Sequence, residues 1–358
     1  MEHITNIEIK NFKSIRHQKI QGCKRINVFV GKPNVGKSNI IEAMSLASYI
    51  DIDFKGDLKD LMRFENVRDL FTFGQSEKPI EILLGDQSIR FEYLKDDQSK
   101  FTWLIKSDEG DNEWETIHEK TFIATQPDSK ISKLSLGKVN RKFFKFGELK
   151  EDIGLKVRKY VFTNSPFNKD YSVLELQSPF GDNLFEVLIY NNDLRKEFIS
   201  LIKSSGAKLL FDKQKNDLKV YYQLDESIIY SVAFNSIADT LQRLIFHKAA
   251  IKLSSNSILL FEEPESHLFA PYITKFTSDI IYDERKNQYF IATHSPYVLN
   301  NFMEDAKDDL AIFLVDYKEG ETFVCKMSDG EMHDAYQFGH DFFMNLENFM
   351  PNNSHEQV

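Results

Sequence analysis

The stretch from Ile26 to Leu46 constrains this chain more than any other. A short apolar run, Ile26-Asn27-Val28-Phe29-Val30, leads into Gly31-Lys32-Pro33-Asn34-Val35-Gly36-Lys37-Ser38. A helix-compatible pattern then starts at Lys37 and continues through Ile40, Ile41, Ala43, Met44 and Leu46. Strand, glycine-rich loop and helix, in that order, is what a phosphate-binding loop requires. Gly31 and Gly36 permit the backbone angles that turn several N–H groups inward around a polyphosphate. Lys37 places a charge on the β- and γ-phosphates, the Ser38 hydroxyl suits Mg²⁺, and the helix adds its positive N-terminal dipole. The pattern arises by chance in about 1% of chains of this length, and the flanking strand and helix make that rarer still. The competing reading is a glycine turn before a basic helix. We expect Gly31, Lys32, Pro33, Asn34, Val35, Gly36, Lys37, Ser38 and Asn39 to bind a nucleotide.

Such a loop needs a second strand that ends in acid to complete a metal site. Ser257-Ile258-Leu259-Leu260-Phe261-Glu262-Glu263 supplies it. Adjacent side chains on a strand point to opposite faces, so one acid, Glu262, can reach Mg²⁺ while the next, Glu263, orients a water. A third strand, Gln288 to Thr293, ends at His294-Ser295-Pro296. A histidine there can reach a γ-phosphate, although a lone histidine is more often structural.

The remaining composition narrows the class. The chain has 358 residues, 42% hydrophobic and 28% charged, which excludes disordered and fibrous types. No apolar run is long enough to span a bilayer and the start lacks a signal-peptide core, so a cytoplasmic protein with no membrane contact is expected. Cys23 and Cys325 are too few for a disulfide framework. A net charge of -10 argues against a globally basic nucleic-acid coat but leaves local patches open.

Further elements read along the chain as follows. Ile4 to Phe12 reads as a strand, and residues 58–73 as a helix broken at Gly74. Ile80 to Leu84, Ile89 to Leu94 and Phe101 to Ile105 read as an antiparallel meander. Asp182 to Ile202 is helical in period, followed by strands AKLLF and LKVYYQL and a helix from Ala238 to Lys252. After Pro296 two more strands, DLAIFLVDY and ETFVCKM, are expected before an aromatic-rich tail.

With these residues in place, the sequence resembles the ABC-type ATPases of the SMC, RecF and OLD kind, often called AAA-family ATPases in bacteria. ITNIEIKNFKSI resembles their opening strand and GKPNVGKSNIIEAM their Walker A helix. ILLFEEPESHLFAPY resembles Walker B with its D-loop, and IATHSPYVL the H-loop. The phrasing is most similar to stand-alone, OLD-like ATPases that accompany anti-phage systems. The resemblance implies ATP and Mg²⁺ as cofactors, with Lys37 and Ser38 on phosphate and metal. It further implies Glu262 as the metal-side acid, Glu263 as the catalytic glutamate and His294 as the γ-phosphate sensor. It also implies a head-to-tail homodimer, or a higher oligomer, in which a signature helix caps ATP held by the other subunit. Ser236, in NSIADTLQR, is the candidate for that contact, and an ordinary N-capped helix is the alternative. Three departures stand out. Glu262 replaces the usual Asp, the signature lacks a glycine pair, and only Asn66 or Gln75 could stand for the Q-loop glutamine.

The fold expected is therefore α/β: a P-loop ABC-type head with a mixed sheet, an N-terminal antiparallel β element and a short compact insertion instead of a coiled coil. Lys37 and Glu263 stand 226 positions apart with no sustained heptad pattern between them. The first half of the head is placed at 1–129, the insertion at 130–230 and the second half at 231–358. The basic, phenylalanine-bearing stretch from Lys130 to Lys159 could contact nucleic acid or an acidic partner, or be a solvated face whose rings enter the core. The roughly 60 residues after Pro296 are too few for the Toprim nuclease of OLD proteins, so none is expected. The reading that results is an ATPase that dimerises on ATP and regulates a partner effector. The rivals are a RecF-like DNA-binding protein and a non-catalytic, ATP-stabilised scaffold.

Overall fold

The structure, a computed structural model, describes residues 2–50, 57–93, 100–107, 121–123, 135–136, 155–163, 174–203, 206–212, 214–215 and 217–338. Strand β1 (Asn6–Phe12) turns into β2 (Ile15–Gln21), and β3 (Ile26–Val30) follows, all five of its residues buried. Helix α1 (Lys37–Ile50) and the single turn α2 (Leu58–Leu61) lead to β4 (Ile80–Leu84), β5 (Gln87–Tyr93) and β6 (Lys100–Ser107). Short strands β7 (Thr121–Ile123) and β8 (Ser135–Leu136) complete an antiparallel sheet in the order β2-β1-β4-β5-β6-β7-β8.

The second sheet holds the chemistry. Strands β9 (Val157–Tyr160), β13 (Ile258–Glu262), β14 (Gln288–Thr293), β15 (Leu310–Lys318) and β16 (Glu321–Lys326) join β3 in the order β16-β15-β3-β14-β13-β9. All its neighbours run parallel except β15 with β16. Continuous apolar runs such as ILLF and INVFV suit strands covered on both faces. Alternation sends the side chains of Leu259 and Phe261 to one core and those of Ile258 and Leu260 to the other. One core lies between this sheet, α1 and the antiparallel sheet, with Ile40, Ile41 and Met44 from the helix and Ile7, Ile9 and Ile82 from the strands.

The opposite core is covered by α3 (Leu184–Tyr190), α4 (Asn192–Lys203), α5 (Asp239–Leu253), α6 (Ala270–Ile281) and α7 (Pro296–Asp305). A small antiparallel sheet, β10 (Lys208–Asp212), β11 (Asp217–Gln223) and β12 (Ile229–Ala233), adds Leu218 and Val220 to it. Helix α8 (Asp329–Phe338) follows β16.

Several expectations change. Residues 58–73 form no continuous helix: α2 stops at Leu61, and 3-10 turns follow at Val67–Leu70 and Thr72–Gly74. Asp60 and Asp69 each accept a backbone N–H three residues back, from Asp57 at 2.6 Å and Asn66 at 2.7 Å. Short polar side chains used this way compete with helix propagation. The single helix read over 182–202 is two, divided at Asn191, whose carbonyl oxygen Oδ1 accepts the Leu194 N–H at 2.9 Å and so caps α4. Val157–Tyr160, within the span read as insertion and basic stretch, is the edge strand of the parallel sheet and fully buried. Most of the rest of that stretch, over 130–154, lies outside the described residues, as does the aromatic-rich tail beyond Phe338. Among the described residues no helix is long and apolar enough to cross a membrane.

Candidate functional site

Strands β3, β14, β13 and β9 are parallel, so their carboxyl ends lie along one edge. The glycine-rich loop leaves β3 there and is pressed against its neighbours. A Cβ on Gly31 would stand 2.2 Å from the Val315 carbonyl oxygen of β15. Gly36 has φ +102°, and a Cβ on it would stand 2.0 Å from Thr322 Oγ1. That hydroxyl donates to the Val35 carbonyl at 2.9 Å and lies 2.7 Å from Ser14 Oγ. Strand β16 thus supports the loop from below. Asn34, at φ 62°, makes the loop's other left-handed turn.

Lys37 is 5% exposed, and its Nζ donates to the carbonyls of Gly31 at 2.9 Å and Lys32 at 2.8 Å. Burial lowers its pKa to about 8, against the pull of Glu263, Glu262 and Glu265. A cation held this way is poised to exchange carbonyl partners for phosphate oxygens. Asn39, read as part of the nucleotide site, donates its side-chain amide to Ser14 Oγ at 2.6 Å and ties α1 to the β1–β2 turn.

Glu262 ends β13 and accepts a hydrogen bond from Ser38. Its Oε1 meets Arg63 Nη2 at 2.8 Å and its Oε2 meets Lys159 Nζ at 3.5 Å. Burial alone would raise this carboxyl, but Lys159, Ser38 and Arg63 outweigh it and hold it below the usual carboxylate range. Glu263 turns the chain at φ 45° while its N–H still bonds the Ala292 carbonyl at 2.8 Å. That turn places its carboxylate on the open side, 3.5 Å from His294 Nε2. Burial and then Lys37 push the His294 pKa down, so its ring is neutral near pH 7.

These groups converge on one cavity of about 760 Å³, lined by Lys37, Ser38, Glu262, Glu263 and His294. Ser236 does not line it. That residue sits exposed in a 3-10 turn before α5, and the cap position of α5 is Ala238, which makes no side-chain cap. Asn66 and Gln75 do not line it either.

Four contributors escaped the sequence reading. Lys159 belongs by sequence to the basic stretch, yet its side chain is 4% exposed and donates to the Leu61 carbonyl at 2.7 Å. Its place on a four-residue strand beside β13 could be found only by pairing VRKY with ILLF. Arg63 comes from the loop after α2, and Glu42, buried on α1, holds Arg63 and Lys13. Glu265 accepts from Thr293 Oγ1 at 2.5 Å and from the His294 N–H at 3.1 Å, which fixes the turn that presents His294. The third acid in EEPE was the available signal.

The glycine-rich loop at the strand end, the cation at Lys37 and the Ser38–Glu262 pair fit a nucleotide with a divalent ion. Among the described residues no group of three or more His, Cys, Asp and Glu side chains could hold a metal. An ion at Ser38 and Glu262 would therefore take its other ligands from phosphate and water, which is the usual habit of Mg²⁺.

Comparison with known proteins gives the family and the fold. A family model described as "AAA domain, putative AbiEii toxin, Type IV TA system" matches residues 26–300. The chain is 26% identical over 188 residues to the uncharacterised protein MJECL10 of Methanocaldococcus jannaschii, covering 49% of this chain and 82% of that protein. It is 27% identical over 99 residues to the DNA replication and repair protein RecF of Thermoanaerobacter sp., covering 26% of this chain and 25% of RecF. An SMC head, solved bound to the C-winged helix domain of ScpA, superposes with a TM-score of 0.51 at 15% identity, over 91% of this chain and 98% of the head. The fold is thus that of an SMC-type head.

Proposed function

This chain belongs to the AAA-domain family, and on that premise we propose that it binds and hydrolyses ATP, closing head to tail with a second copy to control a partner effector protein. One observation carries the reading. The glycine-rich loop, Lys37, Ser38, both carboxylates and His294, drawn from three separated parts of the chain, line a single cavity at the carboxyl edge of parallel strands. That edge is where ligands bind in open α/β sheets.

In this reading the loop N–H groups and Lys37 hold the β- and γ-phosphates. Ser38 and Glu262 would hold Mg²⁺, which supplies charge neutralisation at the phosphate oxygens. Glu263, exposed at the turn, polarises the attacking water and accepts its proton. Neutral His294 donates from its ring toward the γ-phosphate, and Glu265 keeps it in place. Lys37 offsets the charge that develops on the transferring phosphoryl group.

Exposed aromatic side chains in the segments that follow the carboxylates and the histidine support closure on a second copy. Phe269, seven residues past Glu262, is 66% exposed and Tyr297, three past His294, is 61% exposed. Ser236 is exposed and free to meet a nucleotide held by the other subunit. The effector role, with anti-phage defence as its setting, rests on the sequence resemblance to OLD-like ATPases. A RecF-like grip on DNA is the second reading, favoured by the partial similarity to RecF. Salt-dependent DNA binding that requires ATP would support it.

The test is Glu263→Gln beside wild type. Hydrolysis should fall by about 10²- to 10⁴-fold while ATP binding persists, as expected for loss of a general base. The ATP-loaded variant should run as a dimer in light scattering. Equal turnover in the two proteins, with or without a partner, would remove the catalytic reading and leave an ATP-stabilised scaffold.

A further inference from the structure

Glu262, the acid assigned to the metal, already has two cationic partners, and they are held very differently. The Lys159 side chain is 4% exposed, fixed by β9 and bonded to the Leu61 carbonyl. The Arg63 side chain is 72% exposed and lies in the loop after α2. Its guanidinium bridges two carboxylates. Nη2 meets Glu262 Oε1 at 2.8 Å, while Nε meets Glu42 Oε1 at 3.0 Å and the Arg63 backbone N–H meets the same oxygen at 3.3 Å. Glu42 is buried and also pairs with Lys13.

The two halves of this bridge are unequal. The backbone N–H of Arg63 also ties the residue to Glu42, so releasing Glu262 would leave Nε on Glu42 and the guanidinium still charge-paired. A divalent ion sharing the Glu262 carboxylate would repel a guanidinium 2.8 Å from the same group, and Arg63 is the partner exposed enough to leave. Lys159 has no comparable freedom.

We propose that Arg63 is the exchangeable counter-ion of Glu262: its guanidinium occupies the carboxylate while the metal is absent and gives it up when a divalent ion arrives with the nucleotide. Lys159 stays as the fixed partner. The proposal rests on the ATP-binding reading above. It makes Arg63 a positioning residue that sets how much Mg²⁺ is needed, with no contact to the reacting atoms.

Fluorescent ATP analogue binding, titrated with Mg²⁺ from an EDTA-treated start, measures this without turnover. Arg63→Ala should lower the half-saturating Mg²⁺ by about two- to fivefold, the range expected for losing a competitor as open as this pair. Metal-free affinity for the analogue should fall by less than about tenfold. Lys13 keeps Glu42 paired, so the fold is retained. Arg63→Lys, whose single ammonium cannot bridge both acids, should shift the midpoint the same way by less. A midpoint that stays or rises in Arg63→Ala overturns the proposal. So does a loss of metal-free affinity above about tenfold, which would put Arg63 on the phosphates. Wild type that binds no nucleotide at any Mg²⁺ overturns the ATP-binding reading as well, whereas normal Mg²⁺-dependent binding with an unmoved midpoint overturns this inference alone.

Discussion

Replacing Gly36 by alanine would add one methyl group at the point where β16 supports the phosphate loop. At φ +102° an L side chain is already strained, and the new Cβ would stand 2.0 Å from Thr322 Oγ1, 2.9 Å from its Cγ2 and 3.0 Å from Ser14 Oγ. The backbone conformation costs about 1–3 kcal/mol and the overlap about 1–3 kcal/mol. Pushing Thr322 aside also gives up its bond to the Val35 carbonyl, worth about 1 kcal/mol. Together these reach about 3–7 kcal/mol, comparable with the whole stability of many domains. The loop has a cheaper escape, since it can lift from β16 while the cores on both faces of the sheet stay packed. The expected result is a modest drop in denaturation midpoint together with loss of ATP affinity of at least about tenfold. Thr322→Ala in the same chain removes Oγ1 and Cγ2 but leaves the backbone strain. The double variant should therefore recover about 1–3 kcal/mol relative to additivity. Calorimetric ATP titration across the four proteins of the cycle reads this coupling. Wild-type affinity in Gly36→Ala, or strict additivity with Thr322→Ala, would refute the account of how the loop is held.

Two buried groups give rise to pH dependences. Lys37, lowered to about 8, must be charged to hold phosphate, so metal-free ATP affinity should be level below about pH 8 and fall as pH rises above it; affinity unchanged to pH 9.5 would refute this. The same shift makes the unfolded state bind more protons between about pH 8 and 10.5, so this group's contribution to stability rises across that window. His247 lies among Phe246, Phe261 and Phe276 with Nδ1 buried and unpartnered, and burial followed by Arg243 lowers its pKa to about 3. Below pH 6.5 the unfolded state takes up the proton first, so stability should fall by about 1.4 kcal/mol per pH unit from this group. Urea unfolding at pH 7, 6 and 5 should show that slope in wild type and its loss in His247→Leu; equal slopes would refute the assignment.

The legible part of the site was local. Gly31 to Ser38, the acids after ILLF and the histidine after QYFIAT each follow a short apolar strand, and strand ends in a parallel sheet share an edge whatever lies between them. The fold class was legible for the same reason. What escaped depends on pairings between distant segments. Val157–Tyr160 is too short to stand out from a basic stretch, and its lysine becomes part of the site only because β9 lies beside β13. Arg63 depends on α2 ending at Leu61, where local carboxylate bonds to the backbone override a pattern that reads as helical. The support under Gly36 comes from Thr322, 286 positions along, and nothing in either segment announces the other.

The glutamate at 262, where the sequence resemblance implies aspartate, becomes intelligible from the same contacts. An aspartate at the end of β13 would carry its carboxylate one methylene closer to the strand. The Arg63 contact at 2.8 Å and the Lys159 contact at 3.5 Å would then both stretch by about 1.5 Å, one bond length. Neither would remain a hydrogen bond at that distance. Lys159, nearly fully buried, would keep the Leu61 carbonyl but draw away from its nearest acid among the described residues, with Glu42 acting on it from further off, and a buried ammonium without a close acid is costly. The longer side chain and the buried lysine therefore belong together. Glu262 reaches Ser38 on α1, Lys159 on β9 and Arg63 after α2 at once, so three separate elements meet on one carboxylate. A ligand that reorganises that carboxylate acts on all three.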